Sequence, residues 1–97
     1  MDSYIGKTGS YGKVSVTTSA TLVKGNNGNR CNILMVNEGS VAIRVGLDSS
    51  VTAAAGATDG IYVAAGAAIS LDTTMDIYAI STSGSVNVSY IEQKLTV

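Results

Sequence analysis

A chain of 97 residues that is 45% hydrophobic and carries a net charge of −1 reads as one folded domain with no basic footprint for nucleic acid. Its apolar runs are too short to span a bilayer, and the first residues, MDSYIGKTGSYGK, lack the apolar core of a signal peptide, so synthesis in the cytoplasm without Sec export is expected. The chain has no histidine and a single cysteine, which excludes Ser-His-Asp and Cys-His catalytic pairs, His/Cys metal sites and an intrachain disulfide.

In chain order, the residues Met1–Tyr11 combine Gly6, Gly9 and small polar side chains with Tyr4, Ile5 and Tyr11. They read as an N-terminal arm ahead of a sandwich domain at 12–97. Strand signals follow at short intervals, separated by Gly and Asn clusters, with no useful helical periodicity. The expected strands are Lys13–Thr18, Ala20–Lys24, Arg30–Val36, Val41–Gly46, Gly60–Ala64, Ala67–Leu71, Asp76–Thr82 and Ser85–Glu92. About eight short strands with turn signals between them predict an all-β fold: a small antiparallel β-sandwich of jelly-roll type.

Two turns look like hairpins. Asn37-Glu38-Gly39 would join the third and fourth strands, with Gly39 in the left-handed position of a G1 bulge, and Ser83-Gly84 would join the last two. The first pairing puts Ile33 and Met35 on a core face with Val41, Ile43 and Val45. Leu34, Val36 and Ala42 fall on the opposite face with Arg44 beside them; a two-residue loop would shift this register by one. The segment Ser49–Gly60, SSVTAAAGATDG, reads as a loop crossing between sheets.

Chemistry-bearing residues are few. Asp48, Asp59, Asp72, Asp76 and Glu92 all fall in turn signals or at strand ends and read as solvated. Asp72 and Asp76 in LDTTMD lack the ligand series and glycine of a calcium loop. GKTGSYGK does not match phosphate-loop spacing. No cofactor or metal is implied, and an enzyme is not expected. Tyr62, Tyr78 and Tyr90 lie within strands; Tyr78 and Tyr90 suit a core or half-buried place better than a sugar platform. Cys31 suits a small core or strand position.

What is abundant is apolar sheet. Only 13% of residues are charged, about half the usual share for soluble domains. In either register the strand Arg30–Val36 carries large apolar groups on both faces. Burying each would stabilise by roughly 1.5–3 kcal/mol. Covering the second face therefore calls for the arm or for a neighbouring subunit.

From Arg30 to Glu92, about two-thirds of the chain, the sequence resembles small phage virion proteins of the capsid decoration (cement) or head-fibre-base type. The resemblance is carried by Arg30, Asn37-x-Gly39, Val45-Gly46, Val51-Thr52, Gly60-Ile61, Gly66, Ile77-Tyr78-Ala79-Ile80, Gly84 and Val86-x-Val88. Ala65 stands where those proteins often have a proline before the glycine. The resemblance implies a compact β-sandwich that assembles as a homotrimer on the capsid exterior and clamps the major capsid protein. Tyr4, Ile5 and Tyr11 would then contact the capsid or a neighbour, and Leu34, Val36 and Arg44 would form the subunit interface. A tail, neck or head-fibre component of the virion is the first alternative, and a carbohydrate-binding module for host glycans the second.

Overall fold

The computed structural model describes residues 8–53 and 60–95. Among the described residues there are eight strands: β1 (Thr8–Val16), β2 (Thr21–Lys24), β3 (Arg30–Asn37), β4 (Ile43–Gly46), β5 (Ile61–Val63), β6 (Ala68–Leu71), β7 (Ile77–Ser81) and β8 (Val86–Lys94). They form two four-stranded sheets, with orders β1-β8-β3-β6 and β2-β7-β4-β5, called here the first and second sheet. Every pairing is antiparallel. This interleaved order is that of a jelly roll, as the strand spacing predicts.

Inward residues of the two sheets meet in one core. Val16, Ile33, Met35, Val86 and Val88 from the first sheet meet Val23, Ile43, Val45, Val63, Ile77 and Ala79 from the second. The expected core set is therefore buried: Ile33, Met35, Ile43 and Val45, with Val41 packed against them. The way these residues meet differs from expectation. β3 and β4 are not a hairpin, because they lie in different sheets and face each other across the core.

Asn37 explains that corner. Its side chain is fully buried, and its Nδ2 donates to the carbonyls of Val41 at 2.8 Å, Val63 at 3.2 Å and Ala64 at 3.3 Å. Its Oδ1 accepts the Gly39 N–H at 3.0 Å. The β3–β4 and β5–β6 connections are thus tied to one amide, and the chain crosses the sandwich instead of folding back. Gly39 does not have positive φ. It is needed because a Cβ there would lie 2.4 Å from Val86 side-chain carbons.

Ser83-Gly84 is also not a hairpin between neighbours. Gly84 has a φ of 62°, as a tight turn needs, but β7 and β8 belong to different sheets. Conversely, the Ser49–Gly60 connection, expected to cross, joins β4 to β5 within the second sheet. Buried Val51 anchors it by packing beside Gly46 and Gly60.

The arm boundary differs too. Thr8–Tyr11 are not a free arm but the first residues of a nine-residue strand, registered from Thr8 opposite Lys94 to Val16 opposite Val86. Gly9, read as weakening a strand, fits its place, since a Cβ there would lie 2.9 Å from the Glu92 carbonyl oxygen; a Cβ on Gly12 would likewise lie 2.9 Å from the Tyr90 hydroxyl. Tyr4 and Ile5 lie outside the described residues.

Candidate functional site

Three features stand out beyond the core. The first is the outer face of the first sheet. The ladder register sets Tyr11 opposite Ile91, Ile91 opposite Leu34, and Leu34 opposite Ser70, so one row crosses all four strands. Tyr11 is 83% exposed, Ile91 49% and Leu34 41%. Val36, half-buried, lies in the adjacent row between Ser89 and Ala68. A shallow depression lined by Leu34, Val36, Ser89, Tyr90 and Ile91 sits within this face. The only ion pair bordering it among the described residues joins Lys13 to Glu38 at 3.1 Å.

The second feature is the outer face of the second sheet, where Arg44 lies. Its guanidinium carbon sits 5.5 Å from the centre of the Tyr62 ring, and Nη1 donates to the Gly60 carbonyl at 3.3 Å. Tyr62, Ile61 and Leu22 are exposed on this sheet. Arg44 therefore does not share a face with Leu34 and Val36. The expected grouping came from pairing β3 with β4; with the two strands in opposite sheets, their outward residues point away from each other.

The third feature is a buried charge cluster that the sequence placed in solvent. Glu92 is 1% exposed and Arg30 3%. Arg30 Nε donates to Glu92 Oε2 at 3.0 Å, and Ser10 Oγ donates to Oε1 at 2.9 Å. Lys24 and Lys94 bring their ammonium groups to 3.5 and 3.7 Å from Oε1. The remaining Arg30 donors reach backbone carbonyls of Thr73 at 3.1 Å, Met75 at 3.0 Å, and Gly25. Burial pushes the Glu92 carboxyl up, but hydrogen bonds from Arg30 and Ser10 and the charges of Lys24 and Arg30 outweigh it and hold it below its ordinary value.

Two bulges build this cluster. Between Arg30 and Asn32 the ladder slips, so Arg30 lies opposite Lys94 instead of pointing outward as simple alternation from Ile33 requires. Between Leu22 and Lys24 a second slip sets Lys24 opposite Ile77, on the inner side. Glu92 itself was legible, since it shares parity with inward Val86, Val88 and Tyr90. The bulges have no such signal. Cys31, the bulged residue, is half-buried, with Sγ 3.4 Å from the Gln93 carbonyl oxygen.

Asp76 and Asp48 behave as turn elements, and Asp59 lies outside the described residues. Asp76 accepts the Asn26 N–H at 2.7 Å. Asp48 accepts from the Ser50 hydroxyl and amide, which lowers its pKa from the ordinary value. Among the described residues, no three His, Cys, Asp or Glu side chains are grouped so as to hold a metal ion.

No family model matches the chain, and no curated protein matches it in sequence. Among solved structures, it is similar to a cupin-2 domain containing protein from Shewanella frigidimarina NCIMB 400, with a TM-score of 0.55 and 8% identity over 89% of this chain and 71% of that one. A second similar structure is that of Bacillus endospore appendages, described as a family of disulfide-linked pili, with a TM-score of 0.46 and 15% identity over 92% and 90% of the two chains. The first likeness agrees with the two-sheet all-β architecture, and at 8% identity it bears on fold alone.

Proposed function

We propose that this protein is a structural, self-associating subunit of a phage particle: a decoration protein that binds the outer capsid surface as a homotrimer and stabilises contacts of the major capsid protein. The observation that carries self-association is the exposed row Tyr11–Ile91–Leu34, with Val36 beside it. An enzyme is not part of this reading. The chain has no histidine, and its buried carboxylate is held by four donors or cations around it.

A ring-shaped trimer joins two different patches of each subunit head to tail. Here the apolar row of the first sheet and the Arg44–Tyr62 patch of the second supply two such patches. Because they occupy opposite faces of the sandwich, a second reading has specific support: copies stacked face to face form an open fibre, as in a head-fibre or tail component. Light scattering of Leu34→Ser/Ile91→Ser beside wild type tests both. The trimer reading expects a discrete mass for wild type, the fibre reading a mass that grows with concentration. A monomeric wild type contradicts both.

A further inference from the structure

We propose that the end of the sandwich between Lys24 and Lys94 is an oxyanion-binding site that takes a carboxylate or phosphate group. The site is separate from the apolar row and does not depend on self-association.

Three of the chain's six cationic side chains converge here on one carboxylate. Arg30 and Ser10 already satisfy Glu92 by direct hydrogen bonds. Lys24 and Lys94 are not needed to satisfy it, and their ammonium groups stand beyond good hydrogen-bond length from it. Gathering like charges costs stability unless an anion accompanies them. The formal count over Lys24, Arg30, Lys94 and Glu92 is two positive charges, on a chain whose net charge is −1.

The geometry leaves room for that anion. Lys24, Gly25, Asn26, Asn27, Lys94 and the Arg30–Glu92 pair line an open depression. Both lysine side chains are partly exposed, so each has protons free to point into it. Lys24 is further fixed by its position over the Tyr90 ring, 5.2 Å from the centre. The carboxylate of Asp76, beside the depression, accepts the Asn26 amide. Two bulges in two different sheets aim Lys24 and Arg30 at this one place, and bulges commonly re-aim side chains at functional sites. The ligand class follows from the donors: ammonium groups act as point charges for oxyanions and select no planar shape.

The test is an NMR titration of the ¹⁵N-labelled full chain with inorganic phosphate and, separately, with an acetylated tri-glutamate peptide, each against sodium chloride of equal ionic strength. Saturable shifts centred on the amides of Lys24–Asn27 and Lys94, with the β4–β5 end unmoved, are expected from at least one probe. Tighter saturation by phosphate assigns a phosphate ligand; tighter saturation by the peptide assigns an acidic side chain of a partner protein. Lys24→Gln/Lys94→Gln should weaken binding by about tenfold or more. If the double variant does not fold, each single variant is read in the same way. Absence of saturable shifts with both probes, or wild-type affinity in folded lysine variants, overturns the proposal.

Discussion

Replacing Arg30 with methionine would remove a side chain that ties three parts of one end of the sandwich together. Its guanidinium holds Glu92 on β8, Gly25 in the β2–β3 connection, and Thr73 and Met75 in the β6–β7 connection. Methionine fills comparable space without donors, leaving a carboxylate at 1% exposure without its closest cationic partner. Breaking a buried pair in this way costs about 3–5 kcal/mol, a large part of the roughly 5–15 kcal/mol that stabilises a domain. Lys24 and Lys94 remain near Glu92 and place the expected loss toward the lower end, about 3 kcal/mol. Urea unfolding followed by circular dichroism reads this as a lower midpoint at unchanged slope. A loss below about 1 kcal/mol, the value of an exposed pair, would refute the reading of this cluster as a buried clamp.

The remaining predictions concern acid, the corner, the turn and the row. The folded-state carboxyl of Glu92 is held below its ordinary value of 4.5, so its stabilising contribution is complete above about that pH and is lost as pH falls through the folded value. Acid unfolding curves should show this loss in wild type and a flatter limb in Glu92→Gln; identical limbs would contradict it. Asn37→Ala removes the donor shared by three carbonyls and should cost about 2–3 kcal/mol in the same urea assay. Ala65→Pro should stabilise by about 0.4–1 kcal/mol, because Ala67 N–H closes a turn on the Ala64 carbonyl, with Gly66 at a φ of 79°, placing residue 65 where proline is favoured. Leu34→Ser/Ile91→Ser should abolish association while costing the single subunit only about 1–2 kcal/mol in urea stability, since Leu34 is already 41% and Ile91 49% exposed within it.

Alternation along the strands made the core legible: Ile33, Met35, Ile43 and Val45 are inward because every second residue of a half-buried strand must be. The same parity applied to β8 places Ile91 outward and Glu92 inward, yet Glu92 near a strand end suggested solvent. Pairing was less legible. Asn37-Glu38-Gly39 and Ser83-Gly84 carry local turn chemistry, but local chemistry does not say whether the next strand lies beside the last or across from it. In this jelly roll, six of the seven connections between described strands change sheet. Asn37 decides one of them through carbonyls as distant in sequence as Val63 and Ala64, beyond the reach of a turn rule. The charged end depended on two bulges, which reverse parity where nothing in the residue pattern marks it. The grouping of Arg44 with Leu34 and Val36 was lost with the β3–β4 pairing on which it rested.

The central claim, association through the exposed row of the first sheet, is tested most directly by the mass of the intact protein in solution. Multi-angle light scattering at micromolar concentration should give a species near three times the 9.8 kDa chain for wild type and a monomer for Leu34→Ser/Ile91→Ser. A wild-type protein that elutes as a 9.8 kDa monomer at every concentration, with Tyr11, Leu34 and Ile91 open to water, would contradict the account.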